Sequence, residues 1–131
     1  MAKTFQLEII TPTRIFSEGQ VSYVRAESPD GQFGIMSHHT AATIALGIGE
    51  VKVVKNGEEY YYATTGGFAD IQSESVLLLL ETAELVTDID VNRAESARKR
   101  AQDRLNNKEM DKMRTRIAIA KAKNRLKVSK R

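Results

Sequence analysis

A chain of 131 residues, 41% hydrophobic and 28% charged, has room for one ordinary domain, or a small domain with an appendage, and can build a real core. It contains no cysteine, which excludes disulfides, thiolate nucleophiles and cysteine-bound metals. Its net charge of +3 is unevenly held: residues 88–131 carry fifteen basic and six acidic groups (+9), and residues 1–87 carry five and eleven (−6). The longest apolar run, Val76–Leu80, falls far short of the roughly 20 residues needed to cross a bilayer. The start, Met1-Ala2-Lys3-Thr4-Phe5-Gln6, lacks both the apolar stretch of a signal peptide and the Arg- and Ser-rich character of a transit peptide, so a soluble intracellular chain is expected.

The first half reads as β. Thr4–Ile10 alternates, with Phe5, Leu7 and Ile9 on one face and Gln6 and Glu8 on the other, the period of a half-buried strand that Pro12 ends. A second run, Val21–Ala26, stops at the turn signal Pro29-Asp30-Gly31. Val51–Lys55 and Glu58–Ala63 flank Asn56-Gly57, a pair that accepts positive φ at both positions and so predicts a type I′ hairpin. Gly66-Gly67 is expected to separate this hairpin from Phe68–Gln72. Ser73-Glu74-Ser75 then turns the chain into Val76–Glu81, apolar enough to be covered on both faces. Seven or more short strands in about 85 residues imply an antiparallel sandwich or flattened barrel over residues 1–87.

From Ala69 onward there is no Gly, Pro or aromatic residue, and residues 88–131 read as an antiparallel two-helix hairpin. Asp90 is the expected N-cap. Ala94, Ala97, Ala101 and Leu105 form one helical stripe, Asn106-Asn107 marks the break, and Met110, Met113, Ile117 and Ala120 form a second stripe beside Ile119, Ala122 and Leu126. Alanine methyls bury little area, so two such helices packed only on each other are marginal against their ordering cost. The hairpin is therefore expected to be loosely held and to gain stability by docking elsewhere, with room for more than one docking site.

No catalytic constellation is visible. His38-His39, read as extended, point to opposite sides and make no two-ligand metal site. Gly31-Gln32-Phe33-Gly34 and Gly47-Ile48-Gly49 carry no Lys-Ser/Thr pair and so are not phosphate loops. The serines come with no supporting base. A non-enzyme needing no cofactor or metal is expected. The basic helices admit three readings: a solvated face, nucleic-acid binding by a basic arm on a β-domain, and docking on an acidic protein surface. Against nucleic acid, no aromatic residue is interleaved with the cations.

Several short motifs occur in order along this β-then-hairpin plan: Thr11-Pro12, Gly31–Ile35 (Gly-x-Phe-Gly-Ile), Gly66-Gly67-Phe68, Ile89-Asp90-Val91-Asn92-Arg93-Ala94 and Asn124-Arg125-Leu126. With them the chain resembles, over essentially its whole length, the epsilon subunit of bacterial F-type ATP synthase, which is similar to the mitochondrial subunit called delta. The resemblance implies a non-catalytic central-stalk subunit whose sandwich binds the gamma subunit and the c-ring. It would rotate with them and couple proton flow to ATP synthesis at the cytoplasmic face of the bacterial plasma membrane, peripheral through the complex. It also implies a hairpin that folds on the sandwich or extends toward the alpha and beta subunits, where its basic second helix would inhibit ATP hydrolysis.

Some family members bind ATP as a regulatory ligand through an Ile/Leu-Asp-x-x-Arg-Ala motif, which Ile89, Asp90, Arg93 and Ala94 match. Glu84, Arg100 and Arg125 match further binding positions, and Lys121 stands where such members have arginine, exchanging a bidentate fork for a point charge. The plainer alternative makes Asp90 only a cap and Arg93 only a surface residue. The resemblance further places rotor contacts at Asp30 and Gln32 and at His38 and His39. Ile35 is followed by Met36-Ser37-His38-His39 rather than by the family's usual Pro-Gly-His, which predicts a more flexible turn.

Overall fold

The structure, a computed structural model, describes residues 3–105 and 112–131. Eight strands come first: β1 (Phe5–Ile10), β2 (Ile15–Val21), β3 (Tyr23–Ser28), β4 (Gly31–Ile35), β5 (Ala42–Leu46), β6 (Gly49–Lys55), β7 (Glu58–Ile71) and β8 (Ser75–Leu85). A 3₁₀ turn at Val86–Asp88 leads into α1 (Val91–Leu105), and α2 (Lys112–Ser129) follows. The strands hydrogen-bond in the order β2-β1-β8-β7-β6-β3-β4, with β5 added on β7. Pairing is antiparallel except between β1 and β8, which run parallel. The sheet folds over on itself as a sandwich whose core includes Phe5, Leu7 and Ile9 from β1, Val51 and Val53 from β6, and Ile71, Val76 and Leu78.

The predicted alternation of β1 and the Asn56-Gly57 hairpin are both present; Asn56 has φ 53° and Gly57 φ 77°, the double left-handed geometry of a type I′ turn. Other local expectations are corrected. The run Val21–Ala26 is divided at Ser22 between β2 and β3. Upstream, Glu18 is an extra residue, since Leu7 pairs with Gly19 and Glu8 with Ser17. This bulge aims the Glu18 carboxylate at the Tyr62 hydroxyl, which donates to it, and at Lys55 Nζ 3.5 Å away. Gly66-Gly67 does not separate two strands. It lies inside β7, where the partner on one edge changes from β6, whose pairing reaches Thr64, to β5, whose pairing starts at Gly67. Gly67 holds φ 156°, and a Cβ there would run into the Leu79 carbonyl oxygen. The glycine pair is thus the bend that lets one strand serve both layers. Gly67→Ala is expected to lower the unfolding free energy by about 3 kcal/mol, read by denaturant titration; an unchanged midpoint would show that the bend does not need glycine.

Val76–Glu81 is covered on one face only: Val76, Leu78 and Leu80 are buried, whereas Leu79 is 44% exposed. In α1, Ala94 and Ala101 are buried as the stripe predicts. In α2 the buried positions are Thr115, Ile119, Ala122 and Val128, while Met113 and Ile117 of the expected stripe are 68% and 44% exposed. Two apolar lines compete on this helix, and the tertiary contacts choose the one that Ile119 and Ala122 occupy. The expected break at Asn106-Asn107 and the first member of that stripe, Met110, lie outside the described residues. Val91, Glu95 and Arg98 line one groove of about 770 Å³ together with Lys123, Leu126, Lys127, Ser129 and Lys130. The start of α1 therefore lies beside the end of α2, the antiparallel hairpin.

Candidate functional site

Two surfaces concentrate the chemistry. The first is where α2 meets the sandwich. Lys121, Asn124, Arg125 and Val128 recur at helical spacing, so they share one face, and Arg131 follows just past the helix end. Asn124 Nδ2 donates to the Gly49 carbonyl at 2.8 Å and stands 3.4 Å from that of Thr64. Arg125 forks onto Glu84, Nε to Oε1 at 2.7 Å and Nη2 to Oε2 at 3.0 Å, and Lys121 Nζ lies 3.4 Å from Glu81 Oε1. Val128 is the fully buried apolar member of the face. Arg131 donates from Nε to Glu50 Oε2 at 2.8 Å and from Nη2 to Oε1 at 2.9 Å, with its guanidinium 5.0 Å from the Tyr61 ring centroid. Those hydrogen bonds to Glu50, and the attraction that accompanies them, raise the Arg131 pKa above its ordinary value and keep the group charged. Most of this dock is polar, which agrees with a hairpin that is held without being fused to the core.

The expected nucleotide-binding residues gather around the same hairpin. Asp90 is the N-cap of α1: its Oδ1 accepts from the Arg93 N–H at 3.0 Å and its carbonyl from the Ala94 N–H at 3.0 Å. Ile89, extended at φ −74° and ψ 121°, delivers the chain into that cap, and Ala94 is fully buried. Arg93 and Arg100 are exposed and, seven residues apart, lie on the same face of α1. Glu84 and Arg125 are brought together directly, but in this docked state they satisfy each other. A phosphate reaching Arg125 would have to replace the Glu84 carboxylate. Lys121 is likewise beside an internal carboxylate, that of Glu81.

The expected rotor contacts fall near the two ends of β4. Asp30 lies in the β3–β4 turn and Gln32 at the start of β4; the Asp30 N–H donates to Ser28 Oγ at 3.2 Å and Gln32 Nε2 to Glu27 Oε1 at 3.0 Å. His38 and His39 follow the far end of β4, a strand of five residues that spans roughly 16 Å. The segment is not extended throughout: His38 has φ 62°. Its N–H donates to the Ser73 carbonyl at 2.9 Å and that of His39 to Met36 at 3.2 Å, two backbone bonds that hold the segment in the absence of a Pro-Gly turn.

The second surface is the outer face of the β5-β7-β8-β1-β2 layer. Register places Ala45 opposite Phe68, Phe68 opposite Leu79, Leu79 opposite Ile10 and Ile10 opposite Ile15. This row crosses five strands. Ile15 is 68% exposed, Phe68 54% and Leu79 44%. The next outward row is Thr43, Asp70, Leu77, Glu8 and Ser17, mostly polar, so the apolar row has a polar border. Sequence reading missed it because an apolar strand residue carries no mark of which face it occupies.

A β-sandwich with a bordered apolar face, carrying a helical pair on polar contacts, defines a protein of two modules. Residues 4–86 match the family described as "ATP synthase, Delta/Epsilon chain, beta-sandwich domain", and residues 87–130 match its "long alpha-helix domain". The ATP synthase epsilon chain of Desulforamulus reducens is 38% identical over 131 residues, covering 98% of this chain and 99% of that one. That of Staphylococcus haemolyticus is 40% identical over 129 residues, covering 96% of each. The chain belongs to the ATP synthase delta/epsilon chain family. A chain in the Euglena gracilis mitochondrial ATP synthase structure shares the fold at a TM-score of 0.83 and 18% identity, over 92% of this chain and 78% of that one.

Proposed function

We propose that this protein is a non-catalytic rotor subunit of the central stalk, joining the gamma subunit to the c-ring in proton-driven ATP synthesis. Its helical hairpin restrains ATP hydrolysis when it leaves the sandwich and extends toward the alpha and beta subunits. Among the described residues no helix is long and apolar enough to cross a membrane. The protein is held peripherally, at the cytoplasmic face of a bacterial plasma membrane, through the complex. The observation that carries the reading, beside family membership, is the Ala45–Phe68–Leu79–Ile10–Ile15 row. Such an exposed apolar patch with a polar border is what a protein interface buries at its centre. We assign it to gamma.

ATP acts as a regulatory ligand that favours the folded hairpin. Asp90 supports this by fixing the first turn of α1 and Arg93 with it, and the exposed Arg93 and Arg100 leave two guanidinium forks for phosphate. Titrating the full chain with ATP while following its radius of gyration by small-angle scattering tests the assignment. Compaction is expected in the wild type and is expected to vanish in Arg93→Ala. An unchanged response in the variant would remove Arg93 as a ligand and leave Asp90 as a helix cap only.

A further inference from the structure

Three carboxylates meet cations of α2 and of the residues just after it, and they are unequal. Glu81 is 62% exposed and Glu84 31%, so their pairs with Lys121 and Arg125 are screened by water and salt. Glu50 is 2% exposed. Its Oε1 takes a hydrogen bond from Arg25 Nη2 at 2.7 Å as well as from Arg131, whereas Oε2 is bonded by Arg131 Nε. Arg25 reaches the carboxylate with one nitrogen; its Nε is buried and makes no hydrogen bond. In the docked state, therefore, the sandwich supplies this buried charge with one hydrogen bond, from Arg25, and Arg131 supplies the other two. A buried charge loses far more when a partner leaves than an exposed one does.

We propose that Arg131 is a clasp: its fork on Glu50, stacked on Tyr61, sets the balance between the docked and the released hairpin. Its position suits that role. Arg131 stands two residues past Ser129, so it ties down the end of α2 farthest from the connection to α1. The Arg131 N–H donates to the Val128 carbonyl at 3.0 Å, which fixes the guanidinium relative to the one buried apolar residue of the docked face. Tyr61 is held in turn, its hydroxyl donating to Glu59 at 2.6 Å while Lys52 pairs with the same carboxylate at 3.1 Å. Glu27 accepts the Glu50 N–H at 3.0 Å, so the backbone beneath the clasp is also pinned. Any change that uncouples Arg131 from Glu50 shifts the population toward release. The clasp rests on these contacts; its effect on hydrolysis rests on the function proposed above.

The test is amide hydrogen exchange on the full chain as wild type, Arg131→Ala, Arg131→Lys and Arg125→Ala. Arg131 is at the surface, so its replacement leaves the core intact. Arg131→Ala is expected to speed exchange in residues 121–129 by about tenfold or more, the loss of roughly one charge-assisted hydrogen bond, with β6 and β7 unchanged. Arg131→Lys should lie between, because a point charge cannot make the fork, and Arg125→Ala should do less than Arg131→Ala. Equal effects at 125 and 131, or no change at 131, would overturn the clasp. Exchange that rises as much in β6 as in α2 would also overturn it, by making the triad a prop of the sandwich. In reconstituted complexes Arg131→Ala should then hydrolyse ATP more slowly than wild type. Faster exchange with unchanged hydrolysis would keep the clasp and reject the regulatory reading of the hairpin.

Discussion

Removal of residues 88–131 is expected to leave a folded protein that still binds gamma and no longer restrains ATP hydrolysis. Every member of the main core cluster lies between Phe5 and Leu80, so the truncation takes nothing from the interior of the sandwich. What is lost is the burial of Val128, the two Asn124 bonds and the ion pairs of Lys121, Arg125 and Arg131. Losses of this kind amount to about 1–3 kcal/mol in sum, since most of those groups become hydrated on both sides when the helix leaves. For a domain of this size that corresponds to a fall of roughly 5–20 °C in Tm, with a cooperative transition retained. Calorimetry and hydrolysis assays on complexes carrying residues 1–87 read the two halves of the prediction. A truncated chain that does not fold would make the hairpin part of the core. One that folds and still restrains hydrolysis would place inhibition in the sandwich.

Charge introduced at the centre of the outer apolar row is expected to abolish assembly while leaving the fold intact. Phe68 and Leu79 face each other across β7 and β8, and both are about half exposed, so Phe68→Glu with Leu79→Glu buries no charge in the isolated chain. Surface replacements of this kind change stability by about 0.5 kcal/mol or less each. At the centre of a docked interface the same residues act as anchors, each worth roughly 2 kcal/mol or more, and the new carboxylates would be desolvated without partners. A loss of gamma affinity of about a thousandfold follows for the pair. Titration calorimetry against purified gamma reads it directly. Unchanged affinity in the double variant would move the gamma interface off this face.

The features readable without coordinates were those with a local cause. β1 showed its period, Asn56-Gly57 its turn type and Asp90 its cap, because each depends on residues a few positions apart. The misreadings came from residues whose meaning is set at long range. Gly66-Gly67 looks like a break, and only the change of partner strand makes it a bend. Leu79 looks like core because an apolar run does not reveal that one of its faces is left open. Met113 and Ile117 repeat as well as Ile119 and Ala122 do, and periodicity cannot choose between two stripes on one helix. Of the site, the motif around Asp90 and Arg93 was legible as a pattern. The pair of Glu50 with Arg131 was not, since the partners stand 81 positions apart and neither belongs to a motif.

The central claim is that an apolar sheet face, and not the basic helices, places this protein in its complex. It is tested by purifying the tagged full chain from the lysate of its own cells with a wash at about 0.5 M salt, which strips contacts made through a phosphate backbone. Retention of gamma with the alpha and beta subunits, and absence of nucleic acid, is the predicted result. Loss of every protein partner, with nucleic acid released into the wash, would contradict the account and make the basic arm the functional part.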